Sequence, residues 1–174
     1  MLSRYNVSSF LLFALLLSQL TSCKPDPKTS SLEQIKTLEK KLFDEKNGVI
    51  DQVEAANIIA LYTNFSETWP EDAQSQEFLF KAADVSLNVF HTQETISLLN
   101  KYIQLYPKSE KAPQALFLKA FAYENYFSDI DNARASYEQF LKQYPTHELA
   151  QDAQISLDNL GKSPEDIIKS FQQN

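Results

Sequence analysis

The chain has 174 residues, a size that fits one domain after a targeting segment, and its formal net charge is −7. An acidic surface is a poor match for nucleic acid or anionic lipid headgroups, because both bind positive patches. Only two glycines are present, which disfavours tight hairpins and glycine-rich phosphate loops, and the abundant Leu, Ala, Glu, Gln and Lys favour an all-α fold.

The first 22 residues have the anatomy of an export signal. Arg4 gives a positive start, and an apolar run follows over residues 10–17. Ser18 and Gln19 interrupt this run, which is shorter than the roughly 20 apolar residues of a membrane-spanning helix. We therefore expect residues 1–22 to be a signal peptide, and a permanent transmembrane anchor is the weaker interpretation.

Cys23 is the only cysteine, so no intramolecular disulfide can form. The preceding residues, Leu20-Thr21-Ser22, together with Cys23 resemble the lipobox of bacterial lipoproteins. The resemblance implies cleavage before Cys23 and attachment of diacylglycerol and a palmitate-type acyl chain to it, with no other cofactor. Cleavage would remove Arg4 and take the net charge from −7 to −8. The alternative is an ordinary secretion signal in which Cys23 is incidental.

A polar segment with two prolines follows the cysteine, and it predicts an irregular tether over residues 23–31. From Leu32 onward the apolar residues recur at helical spacing, beginning with the face formed by Leu32, Ile35, Leu38 and Leu42. Asn47-Gly48 ends this first helix.

Seven further helices are predicted along the chain. The second starts at Asp51, ends before Trp69-Pro70, and has an apolar face that includes Val53, Ile59 and Phe65. The next five span about 73–90, 92–106, 111–126, 130–144 and 147–160. The last begins at Ser163, an N-cap serine followed by proline and two acids, and runs to Phe171.

An aromatic residue followed by proline ends three of these helices. The pairs are Trp69-Pro70, Tyr106-Pro107 and Tyr144-Pro145, spaced 37 and 38 residues apart. The sequence that follows these pairs also repeats, because residues 112–115 resemble 150–153 and residues 80–82 resemble 118–120. A helix pair recurring at this length is typical of a solenoid.

Residues 129–145 resemble the second half of a tetratricopeptide repeat. Ala133 and Tyr137 take the family's small and aromatic positions, and Pro145 takes its closing proline. Upstream, Ala120 and Tyr123 take the equivalent positions of the first helix, and the extra residues of the long repeat lie around 126–128. One repeat earlier Thr95 replaces the alanine, so looser packing is expected there.

The resemblance implies an all-α, right-handed solenoid of about three helix pairs with terminal capping helices over residues 32–174. With the lipobox, it is similar to periplasmic repeat lipoproteins of the YfiO/BamD and YbgF kind. That likeness implies a non-catalytic scaffold or adaptor, lipid-anchored at the outer membrane, facing the periplasm and binding envelope proteins or extended peptide segments. The alternatives are a structural subunit of an outer-membrane assembly or transport complex, and a peptidoglycan or glycan binder.

The first helices of such repeats line the binding groove. Alignment on Ala120 predicts a groove formed by Gln114, Phe117, Phe121, Glu124 and Asn125. An offset of 38 residues extends it one repeat earlier to Gln76, Leu79 and Ala83. Burial of Phe117 and Phe121 between helices is the alternative.

No pattern of catalytic or metal-binding residues is present in the sequence. His91 and His147 are the only histidines and lack the spacing of a metal site, so both are expected on the surface. The acidic pairs at 71–72 and 129–131 fall in turns, where they are expected to cap helices. We therefore expect neither a metal nor an enzymatic activity.

Overall fold

The computed structural model describes residues 25–44, 51–163, 165–166 and 168–169. Within these ranges seven α-helices and no strand are found: α1 Pro27–Asp44, α2 Gln52–Thr68, α3 Ala73–Val89, α4 Gln93–Leu105, α5 Ala112–Asn125, α6 Ile130–Gln143 and α7 Ala150–Asn159. Each helix packs mainly against the next along the chain. The helices form three pairs, α1–α2, α3–α4 and α5–α6, followed by α7. The predicted all-α solenoid of three helix pairs is confirmed.

Several sequence-based predictions lie outside the described residues. They are the signal peptide, the modification of Cys23, the helix end at Asn47-Gly48, and Ile167 and Phe171 of the last helix. Ile168, the third apolar residue expected on that helix, is described and is 58% exposed. Within the described part of the chain, no helix has the length and hydrophobicity needed to cross a membrane.

The predicted tether is wrong over residues 27–31, because α1 already begins at Pro27. The Asp26 carboxylate accepts a hydrogen bond from the Thr29 amide at 3.2 Å, and the Asp26 carbonyl accepts one from the Ser30 amide at 2.9 Å. Proline is favoured at the first helical position, where its missing N–H has no partner to lose. The second proline of the tether therefore starts the helix.

The three aromatic-proline stops share one backbone conformation. Trp69, Tyr106 and Tyr144 have φ/ψ angles of −127/62°, −126/53° and −132/53°. The amide of each donates to the carbonyl of the aromatic residue four positions earlier, and the two rings lie 4.8, 5.4 and 5.6 Å apart. The sequence repeat is thus a repeat of local structure.

A capping side chain lies three residues after each of these aromatics. Asp72, Ser109 and His147 each accept a hydrogen bond from the amide two positions later, at 2.8, 3.1 and 3.1 Å. Such bonds satisfy amides that a helix start leaves without an intrahelical partner. His147 therefore contributes to the turn before α7, a role that its sequence context did not reveal.

Small residues lie at the helix crossings. Ala120 and Ala133 are fully buried, as their alignment with the repeat predicts. Thr95 is also fully buried, and its hydroxyl lies 2.7 Å from the Ser86 hydroxyl, so this crossing accommodates the larger side chain with its polar atom satisfied. Val53, predicted on the apolar face of α2, is 68% exposed because it lies in the first turn of the helix.

The end of α7 is close to its predicted position. Gly161 follows the helix with a φ of +78°, a conformation that glycine adopts without steric cost. The Ser163 hydroxyl accepts a hydrogen bond from the Asp166 amide at 3.1 Å, as expected for an N-cap.

Candidate functional site: the inner face of the first helices

The first helices of the three pairs lie side by side and present one polar surface. On α3 its residues are Gln74, Glu77, Lys81, Asp84 and Asn88. The corresponding residues of the next pair are Lys111, which directly precedes α5, and Gln114, Leu118, Phe121 and Asn125 on α5. Both sets have spacings of three and four, which define one side of a helix, and corresponding residues are 37 positions apart. All ten side chains are exposed or half-buried. We call this surface the inner face.

A cleft of about 420 Å³ extends the inner face to α1. It lies between α1 and α3, and its lining residues are Leu32, Ile35, Lys36, Glu39, Gln74, Glu77, Phe78 and Lys81. The inner face therefore spans all three first helices.

Ion pairs connect these three helices. The Lys81 ammonium on α3 lies 2.8 Å from the Glu39 carboxylate on α1 and 4.0 Å from that of Glu77, and the Lys111 ammonium lies 3.3 Å from Glu77. Each pair is partly exposed, so each contributes only about 0–1 kcal/mol. Their main consequence is that the charges in the middle of the inner face neutralise one another.

Aromatic rings lie beneath the two ammonium groups. Lys111 lies 4.6 Å from the Phe80 ring centroid, and Lys81 lies 5.9 Å from that of Tyr62. The Tyr62 hydroxyl donates a 2.7 Å hydrogen bond to Glu39. Burial, with the hydrogen bond and negative charge of Glu39, raises the pKa of Tyr62 well above its usual range. Tyr62 therefore remains a protonated donor that orients Glu39.

Asp84 differs from the other inner-face charges. It is half-buried, and burial raises its pKa, although the Asn88 side chain and the charge of Lys111 partly oppose this shift. None of the ion pairs between described residues includes Asp84. The inner face thus holds a partly desolvated carboxylate that lacks a directly bonded cation.

Three aromatic side chains meet at the end of α5. The Tyr126 and His91 rings stack with centroids 3.8 Å apart, and Phe121 meets Tyr126 edge-on at 5.8 Å. His91 lies in the turn after α3 with a φ of 52°, and it is exposed, as is 40% of Tyr126. We call Phe121, Tyr126 and His91 the aromatic trio. Sequence reasoning missed its connection to the groove, because the contact joins two separate turns.

The groove residues predicted on α5 divide into two groups. Gln114 and Asn125 are exposed on the inner face, and Phe121 is half-buried there. Phe117 instead packs toward α6, where its ring meets Tyr137 edge-on at 5.8 Å. Glu124 also faces α6 and accepts a 2.7 Å hydrogen bond from the Tyr137 hydroxyl, and burial is the main reason why the pKa of that hydroxyl is raised.

On α3 two of the three predicted groove positions, Leu79 and Ala83, are wrong. Leu79 and Ala83 are fully buried, and Gln76 is half-buried with its amide donating to the Ser109 hydroxyl at 2.8 Å. These side chains hold the helices together, and Leu79 and Ala83 leave no surface for a partner.

The error comes from the offset of 38 residues. The aromatic-proline stops that precede α3 and α5 are 37 residues apart, and the additional residue enters later, between α5 and α6. With an offset of 37, Leu79 and Ala83 correspond to Leu116 and Ala120, which are buried as well. The inner-face residues one position further along, such as Glu77 and Asp84, are the true counterparts of Gln114 and Phe121.

Comparison with known families finds a match to one segment of the array. Residues 114–147 match the tetratricopeptide repeat. The match covers nearly all of α5, the whole of α6 and the capping turn at His147, and it supports a protein-interaction scaffold because solenoid repeats present extended binding surfaces. No curated protein matches the chain. In the part of the chain that the structure describes, no group of three His, Cys, Asp or Glu side chains could hold a metal ion.

Proposed function

We propose that this protein is a lipid-anchored interaction scaffold of the bacterial cell envelope that binds an extended segment of another protein along its inner face. The observation that carries the proposal is the continuity of this face. The same stripe of accessible positions recurs on α3 and α5, and ion pairs join it to α1. A repeated surface of this kind suits a long, thin ligand better than a compact small molecule.

The chemistry of the inner face supports peptide binding. The amides of Gln74, Asn88, Gln114 and Asn125 are exposed and can hydrogen-bond to a peptide backbone. Phe121 and Leu118 are half-buried and offer apolar contact between these polar groups. An apolar anchor surrounded by hydrogen-bonding groups is typical of peptide grooves.

The anchor proposal rests on the lipobox resemblance and gains from the early start of α1. Because α1 begins at Pro27, only four residue steps separate Cys23 from the folded array, about 14 Å at full extension. A diacylated or triacylated Cys23 would hold the array firmly and close to a bilayer. Attachment to the outer membrane, facing the periplasm, is part of the proposal, as is membership of an outer-membrane assembly or transport complex.

Paired surface variants test the inner face. Gln114→Arg with Asn125→Arg places two bulky charges on α5, and Asn100→Arg with Gln104→Arg places the same charges on exposed positions of α4. We expect the first pair to lose the partners captured from detergent-solubilised envelopes and the second pair to retain them, with all proteins equally folded by circular dichroism. Retention of every partner by the inner-face pair would refute the proposal.

A separate experiment tests the anchor. Cys23→Ala should release the protein into the soluble fraction, whereas Thr21→Ala, which keeps a small residue before the cysteine, should leave it in the membrane. Mass spectrometry of the mature N-terminus should show an acylated cysteine. An unmodified thiol at position 23 would contradict the anchor and leave the inner-face proposal standing.

A further inference from the structure

We propose that the bound segment carries an arginine side chain, and that this side chain binds between Asp84 and the aromatic trio of Phe121, Tyr126 and His91. The inference rests on the proposed function and specifies the chemistry of its partner. It follows from the position of Asp84, the exposure of the trio, and the charge balance of the inner face.

Asp84 and the trio lie on the same part of the inner face. Asp84 on α3 corresponds to Phe121 on α5 at the 37-residue offset, and it lies seven residues, about two helical turns, before His91. Asn88 and Asn125 correspond in the same way one turn further on, and His91 follows α3 directly and stacks on Tyr126. A carboxylate and three ring systems therefore border one region of the surface.

The other charges nearby are already paired. Lys81 and Lys111 are held by Glu39 and Glu77, whereas no ion pair between described residues includes Asp84. A partly desolvated carboxylate gains most from a cation that arrives with the ligand, since a charge-assisted hydrogen bond replaces lost hydration. The net charge of −7 also attracts a basic segment and disfavours an acidic one.

Arginine matches both halves of this region. Its planar guanidinium can donate two hydrogen bonds to a carboxylate while its flat surface stacks on an aromatic ring. The inner face already contains a contact between a cation and a ring, in which Lys111 lies 4.6 Å from the Phe80 ring centroid. The partner's arginine would make the equivalent contact with the aromatic trio at the end of α5.

Selection from a random peptide library displayed on phage tests the inference without a known partner. We expect the folded protein to enrich extended peptides that share one arginine. A synthetic copy of the enriched peptide should bind about tenfold more tightly than its norleucine analogue, as a desolvated cation–π contact combined with an ion pair allows.

Variants then assign this preference to the site. Asp84→Asn should abolish the preference for arginine over norleucine, and Tyr126→Ser should weaken binding of the arginine peptide. Asp158→Asn, which changes an exposed acid on α7, and Leu105→Ser, which removes an exposed apolar side chain from α4, should change neither result.

Three outcomes would overturn the inference. The first is that the selection enriches acidic or uncharged peptides, or enriches no peptide. The second is an arginine preference that survives Asp84→Asn, and the third is tighter binding of an N-acetylglucosamine tetramer than of any selected peptide. If the Gln114→Arg with Asn125→Arg variant loses peptide binding, but the unmodified protein binds the arginine peptide and its norleucine analogue equally well, the inner-face proposal stands and only the arginine site fails.

Discussion

The helices α5 and α7 occupy equivalent places in successive repeats, yet only α5 has an apolar side for the helix that follows it. They correspond at an offset of 38 residues, and Ala115 and Ala153 are both fully buried against the preceding helices. The side that each turns toward the preceding pair is therefore similar. The difference lies on the side where the next helix would pack.

On that side α5 is apolar and α7 is polar. Leu116 and Ala120 are buried against α6, whereas their counterparts Gln154 and Asp158 are exposed and joined by a 2.8 Å hydrogen bond. A terminal repeat needs a polar outer side because no neighbour covers it. Two residues thus distinguish an internal helix from a capping one, and α7 has the features of a cap.

Exchanging apolar and polar residues at these corresponding positions should have the largest effect on stability. Leu116→Gln places an amide without a partner in the α5–α6 interface and removes a buried leucine, so we expect a loss of about 3–5 kcal/mol in the free energy of unfolding. Gln154→Leu on the exposed side of α7 should change it by less than about 0.5 kcal/mol. Urea unfolding measures both, and equal effects would remove the distinction between the two helices.

A smaller effect is expected from overpacking. Ala120→Leu and Ala133→Leu force a larger side chain into closed crossings and should each cost about 1–3 kcal/mol. Asp158→Leu, at the position equivalent to Ala120, has solvent around it and should be nearly neutral. Unchanged melting temperatures for both alanine variants would show that the repeat alignment is misplaced.

The turns before the two helices extend the comparison. The Ser109 hydroxyl contacts the Tyr102 hydroxyl at 2.7 Å, the Gln76 side-chain amide at 2.8 Å and the Lys111 backbone amide at 3.1 Å. The His147 ring, in contrast, accepts one hydrogen bond, from the Leu149 backbone amide. Ser109→Ala should therefore cost about 1–2 kcal/mol, and His147→Ala less. The reverse order, measured by thermal unfolding, would contradict the assigned network.

The smallest predicted effect on stability is a gain instead of a loss. Burial raises the pKa of Asp84 above its ordinary value of 3.8, so its stability contribution is complete below that pH and is lost as the pH rises through the folded pKa. At neutral pH the ionised carboxylate therefore lowers stability. Asp84→Asn should raise the melting temperature at pH 7, a gain that disappears in acid, while Glu77→Gln should lower it by breaking ion pairs. Destabilisation by Asp84→Asn at neutral pH would show that Asp84 has a stabilising partner.

The sequence predicts the helices well because their signals are local. Periodic apolar residues and aromatic-proline stops set α2 to α6 within a few residues of their observed bounds. The early start of α1 was missed because a proline has the same appearance in a tether and in a first helical turn. The hydrogen bond from the Thr29 amide to Asp26 distinguishes the two cases, and it forms only in the folded turn.

The site was harder to predict because it depends on which side of each helix is covered. On α5 the alignment with the repeat placed Gln114 and Asn125 on the accessible side, but a one-residue error in the offset moved the α3 prediction onto the buried Leu79 and Ala83. One residue rotates a helical position by about 100°. The aromatic trio joins residues 30–35 positions apart through turns, which periodicity alone does not bring together.

Photo-crosslinking from single positions tests the central claim, that the inner face is the binding surface, most directly. A photoreactive amino acid is placed at Gln114 or Asn88 on the inner face, and at Asn100 or Gln104 on α4, all of which are exposed. In intact cells, we expect covalent adducts with partner proteins from the two inner positions and none from the two on α4. Adducts that form only from α4, or equally from both surfaces, would contradict the claim.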